Sequence, residues 1–368
     1  MNKAIIDTLL DWMKKGKGYP TQVQIHLTNF CNLKCIFCPT RALVRHLDRS
    51  TELKKEDWLR IIDEGVKLGV KEWHICGGGE PMFFTEDAVE IMTKIKESGC
   101  LGEIITNGTF FTDDVAKKIV RIGWDKIYIS LDSPDEKTQN YLRGVDCYKR
   151  IINGVKYLVK WKKKLKKNKP EIYFHSVICK KNFMQIPELL KLASKLDVDG
   201  VLLNALNVWR PEIKKLSLDE SDKKKLLTIL EESEKIAREL GVLTNVHEFK
   251  NFLFFEKANV MNKAMVEEVK NRERKKSSGV SFDNLACYYP WYNISIFSDG
   301  NTLPCFILKD KGENVKEKSL EEIWFGDYFN KIRKTFLKNK LKEDCAKCNP
   351  WNLPIMNQIR NELSKYVD

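Results

Sequence analysis

The sequence predicts an α/β protein: a partial, TIM-like (β/α)6 barrel followed by a small cysteine-bearing C-terminal domain. Three observations lead there. Strand-like and helix-like segments alternate through six units between residues 22 and 240, which implies a parallel sheet with right-handed crossovers. The strands carry polar side chains on the face opposite their apolar one. Four of the eleven cysteines fall after residue 286, two of them as a C-x2-C pair.

The elements follow in order. Met1 to Lys17 mixes charges with apolar residues and reads as an amphipathic helix rather than a signal peptide. Gln22 to Thr28, Val70 to Cys76, Gly102 to Thr106, Lys126 to Asp132, Glu171 to Ile178 and Gly200 to Leu206 read as strands. Lys54 to Leu68, Thr85 to Ser98, Asp113 to Ile122, Asp146 to Lys166 and Gln185 to Leu196 read as the helices between them. Ser217-Leu218-Asp219-Glu220 looks like a cap opening a long helix to about Leu240. Asn271 to Gly279 reads as a basic, mobile loop, and Trp324 to Lys338 as a helix. The expected domains are an N-terminal helix (1–20), the barrel (21–245), a linker (246–285) and the cysteine domain (286–368).

Period-two alternation assigns the strand faces. With Val23, Ile25 and Leu27 toward the helices, Gln24, His26 and Thr28 face the lumen. The same rule turns His74, Tyr128, Ser130, Asp132 and His175 inward. A closed eight-stranded barrel fills its interior with branched apolar side chains; this lumen is too polar for that and suits an open barrel holding a polar ligand. Each histidine taken singly reads better as a satisfied core residue than as a ligand-facing one.

Composition sets mild bounds. Hydrophobic residues make up 43% of 368, enough for a full core. No apolar run reaches the ~18 residues of a membrane span. Eleven free-standing cysteines point to a reducing cytoplasm rather than a disulfide framework. The net charge of +13 is densest from Lys160 to Pro170. That stretch enters a strand at its N-terminal end, whereas barrel chemistry sits at the C-terminal end. It is therefore expected to be a solvated lysine face, and nucleic acid is not an expected partner.

Two cysteine sets carry the chemistry. Cys31, Cys35 and Cys38 form C-x3-C-x2-C. Three thiolates can hold three irons of a four-iron cluster, leaving the fourth iron for another ligand, whereas electron-transfer clusters take four cysteines. A structural metal knuckle or scattered thiols is the plain alternative. Cys287, Cys305, Cys345 and Cys348 form the second set. Four cysteines close all four irons of a cluster, or hold zinc.

The first set, together with Gly77-Gly78-Gly79-Glu80-Pro81, Thr106-Asn107-Gly108, the strand Lys126 to Asp132 and Arg143-Gly144, resembles the radical S-adenosylmethionine (SAM) superfamily. The second set resembles the SPASM/Twitch extension, in its shorter single-cluster form. The resemblance implies a [4Fe-4S] cluster on Cys31, Cys35 and Cys38, with SAM on its open iron. It implies SAM contacts from Gly77, Gly78, Gly79, Glu80, Pro81, Asn107, Ser130 or Asp132, and Arg143 on the SAM carboxylate. An auxiliary [4Fe-4S] cluster falls to Cys287, Cys305, Cys345 and Cys348. Reductive SAM cleavage and hydrogen abstraction from an unactivated C–H bond follow, with a flavodoxin or ferredoxin as electron donor and a small molecule or peptide as substrate.

A closed auxiliary cluster favours a two-electron oxidation. Sulfatase-maturating enzymes carry an acidic residue after the matching cysteine, where this chain has Phe306. Cys179, after the fifth strand, is a candidate hydrogen donor for the alternative of redox-neutral epimerisation. Crosslinking of a peptide is a further alternative. A non-catalytic iron–sulfur or nucleic-acid-binding protein is the reading of another class.

Overall fold

The computed structural model describes residues 3–39, 48–252, 261–273, 282–349 and 351–366. Its strands are β1 (Gln22–Ile25), β2 (Glu72–Ile75), β3 (Leu101–Thr106), β4 (Lys126–Ile129), β5 (Glu171–Ile178), β6 (Gly200–Ala205), β7 (Leu243–Thr244), β8 (Asn293–Ile296) and β9 (Thr302–Leu303). They form one sheet in the order β7-β6-β5-β4-β3-β2-β1-β8-β9. All neighbours are parallel except β8 with β9. The alternation expected of a partial barrel is present from β1 to β6.

The crossover helices are α2 (Lys55–Leu68), α3 (Thr85–Glu97), α4 (Asp113–Arg121), α6 (Tyr148–Lys164), α7 (Ile186–Lys195) and α8 (Glu220–Leu240). Each buries one apolar stripe. On α2 it is Trp58, Ile61, Ile62 and Gly65, a helical spacing. Gly65 lets the helix approach the sheet, since a Cβ there would lie 2.6 Å from the Trp73 ring. Asp219 caps α8 by accepting from Asp222 N, and Gly241 closes it at φ 65°.

Several expectations are corrected. The first and fourth strands stop at Ile25 and Ile129, short of Thr28 and Asp132. A helix α5 (Glu136–Arg143) stands where none was expected; Asp135 caps it by accepting from Thr138 N, and Gly144 closes it. The expected helix Trp324 to Lys338 breaks at Gly326 into α11 (Leu320–Trp324) and α12 (Asp327–Phe336). The expected linker contains α9 (Val246–Phe252) and α10 (Met261–Glu273). Of the expected loop Asn271 to Gly279, residues 271–273 end α10 and 274–279 lie outside the described residues.

The C-terminal region also does not start a separate sheet. β8 pairs with β1 from Gln22↔Asn293 to Ile25↔Ile296. Both strands are buried throughout, so β8 covers what would otherwise be a bare parallel edge. The N-terminal helix α1 (Lys3–Lys15) packs on this region: Ile6 and Leu9 share a core with Leu285, Trp291 and Met356 of α13 (Asn352–Leu363).

The lumen is polar, as the alternation predicts. His74 Nε2 pairs with Gln22 Nε2 at 2.8 Å and His175 Nε2 with Asn204 Nδ2 at 2.6 Å. His26 is buried, and its Nε2 has no partner. Burial pulls the imidazole pKa of His26 and of His175 down to about 4. Both are neutral when folded and titrate near 6.5 when unfolded. Their stability contribution is therefore full above about pH 6.5 and is lost as pH falls through about 4. His175→Gln is expected to flatten the pH dependence of the denaturation midpoint in that window. An unchanged slope in the variant contradicts the assignment.

The basic stretch enters β5 at its N-terminal end, away from the strand ends that bear the cysteines. Lys160, Lys162 and Lys163 pair with Asp113, Asp199 and Asp197 at 2.7–3.0 Å. No helix among the described residues is long and apolar enough to cross a membrane.

Candidate active site

The C-terminal ends of β1 to β4 open on a cavity of about 240 Å³. Cys31, Cys35 and Cys38 line it, together with Gly77, Gly78, Gly79 and Glu80 from the turn after β2. Asn107, Ser130 and Arg143 complete the lining expected from sequence, and Asn29, Leu33, Ile105 and Thr106 join it unexpectedly. Segments separated by more than a hundred residues thus meet in one space.

Backbone bonds fix the cysteine loop from both sides. Gly79 N donates to Thr28 O and Glu80 N to Phe30 O, each at 2.7 Å. Lys34 N donates to Arg143 O at 2.9 Å, and Ile36 N to Leu142 O at 3.0 Å. The glycines are required by this contact rather than by a ligand alone. A Cβ on Gly79 would sit 2.0 Å from Phe30 O, and one on Gly77 would sit 2.4 Å from His26 Nε2. Asn107 Nδ2 donates to Asn32 Oδ1 at 2.8 Å, tying the third strand's turn to the same loop. Glu52, which no sequence signal marks, accepts from Asn29 N at 2.6 Å and Thr28 Oγ1 at 2.7 Å.

Glu80 lines the cavity and also bridges two turns. Its carboxylate accepts from Thr106 Oγ1 (2.5 Å), Asn107 N (2.7 Å) and Met82 N (3.1 Å). Burial pushes its pKa up to about 7 against those donors. Its contribution to stability is full below about 4.5 and is lost as pH rises through about 7, opposite in sign to the histidines.

Asp132 and Arg143 form a buried ion pair at 2.7 Å. Asp132 Oδ1 also accepts from Val177 N at 2.9 Å. Arg143 Nη1 reaches Cys35 Sγ at 3.7 Å, while its buried Nε has no partner. Arg143 therefore brings positive charge to the three-thiol set, and Asp132 holds it there. Asp132→Asn leaves that charge uncompensated and is expected to cost about 3–5 kcal/mol. Urea denaturation of the folded variant measures this; a loss under about 1 kcal/mol would show that Arg143 is compensated elsewhere.

Three further expectations need correction. Pro81 does not line this cavity; it is buried beside Trp58 and Phe84 in a neighbouring one. Asp132 faces Arg143 and is not among the lining residues. Cys179 is fully buried with Phe37, Leu142, Ile213 and Leu216, because the chain turns inward after β5. Burial in that apolar group pushes its thiol up to about 11.

The second set also converges in space. Cys287, Cys305, Cys345 and Cys348 line one small cavity with Pro290, Ile307, Leu308 and Phe336. The one-turn segment Tyr289–Trp291, the β8–β9 hairpin and the turn Glu343–Lys347 deliver them. Burial raises these thiols, Cys345 to about 12, and raises Cys31 to about 12. Such thiols are protonated when free and release protons when they ligate a metal. None of the eleven cysteines forms a disulfide. Among the described residues no three His, Cys, Asp or Glu groups are placed to chelate a single metal ion.

Comparison with known proteins matches two regions of the chain. The radical SAM superfamily model matches residues 25–193, and the SPASM iron–sulfur cluster-binding domain model matches residues 287–349. The chain is 27% identical over 332 residues to the tungsten-containing aldehyde ferredoxin oxidoreductase cofactor-modifying protein of Pyrococcus furiosus, covering 88% of this chain and 86% of that one. It is 32% identical over 140 residues to a probable GTP 3′,8-cyclase of Pyrococcus abyssi, 38% of this chain and 44% of that protein. The fold is shared with Streptococcus suis SuiB bound to precursor peptide SuiA, at TM-score 0.64 and 21% identity over 89% of this chain and 70% of SuiB. It is shared with anSMEcpe bound to AdoMet and Cp18Cys peptide, at TM-score 0.59 and 17% identity over 91% and 87%. The two domains bring a four-iron cluster with SAM and auxiliary iron–sulfur clusters. The chain belongs to the radical SAM superfamily and carries a SPASM-type iron–sulfur domain after its partial barrel.

Proposed function

We propose that this radical SAM enzyme abstracts hydrogen from an unactivated C–H bond of a peptide residue or a cofactor and completes a two-electron oxidation. The observation that carries this is the single cavity shared by Cys31, Cys35, Cys38, the Gly77–Gly79 turn, Asn107 and Ser130. When bound there, a four-iron cluster and SAM supply one-electron cleavage to a 5′-deoxyadenosyl radical and methionine. Cys31, Cys35 and Cys38 hold the cluster. The turn glycines present backbone groups to SAM, and Asn107 and Ser130 contact it from the next two strands. Arg143 places charge beside Cys35, with its Nε still available to a carboxylate. The protein's own part is orientation and exclusion of water.

Cys287, Cys305, Cys345 and Cys348 would hold an auxiliary cluster with four protein ligands, in the single-cluster Twitch manner. Such a cluster is suited to take the substrate's electron rather than to bind substrate. The substrate class follows from the relatives: one of similar length is a cofactor-modifying protein, and a solved structure with this fold holds a precursor peptide. An acidic electron carrier of the flavodoxin or ferredoxin kind, in a reducing cytoplasm, would supply the first electron. The apolar burial of Cys179 speaks against the epimerisation alternative that used it as hydrogen donor.

The test is anaerobic, iron-loaded protein reduced with dithionite in the presence of SAM. Slow formation of 5′-deoxyadenosine without substrate is expected. Fully loaded protein that forms none would favour a non-catalytic scaffold.

A further inference from the structure

Asn352 opens α13 and is buried against the second thiol set. Its Nδ2 donates to Cys348 Sγ at 3.0 Å, and its Oδ1 accepts from the Tyr289 hydroxyl at 3.3 Å. The tyrosine thereby fixes which end of the amide faces sulfur. Tyr289 lines the same cavity and packs against Tyr292 with ring centroids 5.2 Å apart. The remaining wall is largely apolar, with Pro290, Ile307, Leu308 and Phe336 around the cysteines. Little water is left to compete for the sulfur.

Hydrogen bonds to the sulfurs are among the factors that set an iron–sulfur potential, and the partners of a ligand tune it as well as orient it. An N–H aimed at a thiolate stabilises negative charge. That charge is larger in the reduced cluster than in the oxidised one, so the donor favours reduction. We propose that Asn352, held by Tyr289, is a positioning residue that raises the reduction potential of the auxiliary cluster and so poises it to accept an electron. This rests on the reading that Cys287, Cys305, Cys345 and Cys348 hold that cluster.

The experiment is an anaerobic redox titration of the holoprotein followed by electron paramagnetic resonance, which separates the two clusters. Asn352→Leu removes the donor at similar volume. The auxiliary midpoint is expected to move negative by about 59 mV, a tenfold change for a one-electron couple. The midpoint of the three-cysteine cluster should not move, and Asn352→Gln, which keeps an amide donor, should recover part of the shift. An unchanged auxiliary midpoint in fully loaded Asn352→Leu protein overturns the proposal. Should that variant fail to load iron, Asn352→Met removes the N–H donor without adding a charge. A negative shift there supports the proposal, and no shift overturns it. Failure of the underlying reading is distinguishable: wild-type protein would show one cluster's signal and roughly four irons, the content of a single four-iron cluster.

Discussion

Cys35→Ala is expected to abolish 5′-deoxyadenosine formation and to lower iron from roughly eight to roughly four per chain, the difference of one four-iron cluster. The thiol is central to its site. It is half-buried against the main core, it lines the 240 Å³ cavity, and it takes the Arg143 contact at 3.7 Å. Alanine leaves two thiols for a cluster that needs three. The buried charge of Arg143 keeps Asp132 as its partner, so the fold should survive. The auxiliary set lies in a separate cavity and should keep its iron and its spectroscopic signature. Iron and sulfide analysis beside a 5′-deoxyadenosine assay reads both effects. Cys179→Ala serves as the contrast: its thiol packs among Phe37, Leu142 and Ile213, and cleavage should continue. A Cys35→Ala protein with wild-type iron and wild-type cleavage would remove the three-thiol site from the mechanism.

The parts of this molecule legible in its sequence are those set by local periodicity. β2, α2, β5 and α8 lie close to where alternation and caps place them, because each buries one regular face. The two cysteine sets were legible because ligand chemistry demands residue types that other roles seldom cluster. What escaped depends on distant partners. β8 has four residues, and its place is decided by β1, some 270 positions earlier, which no local pattern records. Asp132 alternates correctly as a lumen residue, yet the chain leaves the ladder at Ile129 and the carboxylate turns to Arg143. The glycines of the Gly77–Gly79 turn make room for the Thr28–Phe30 backbone and His26, a close approach that no local pattern records. Glu52 and Asn352 act through contacts that only the folded chain creates.

Cys345→Ala separates the two clusters in the opposite sense, and its expected result is loss of oxidised product with SAM cleavage retained. Cys345 sits on the turn Glu343–Lys347 and shares its cavity with Cys287, Cys305 and Cys348. Without it the auxiliary cluster lacks a ligand or fails to assemble. Cleavage depends on the other cavity and should continue if the fold holds. Folding needs its own check, since losing a metal site can unfold a small domain. Two features favour survival here: β8 is part of the barrel sheet, and α1 packs on the same core as α13. Under the proposed oxidation, a substrate radical formed in this variant would have no acceptor for its second electron, so 5′-deoxyadenosine should accumulate without matching oxidised product. The ratio of the two, measured once a peptide or cofactor substrate is in hand, is the reading. Retention of the wild-type ratio in Cys345→Ala would show that the auxiliary cluster does not accept the electron, and a redox-neutral reaction would then fit the site better.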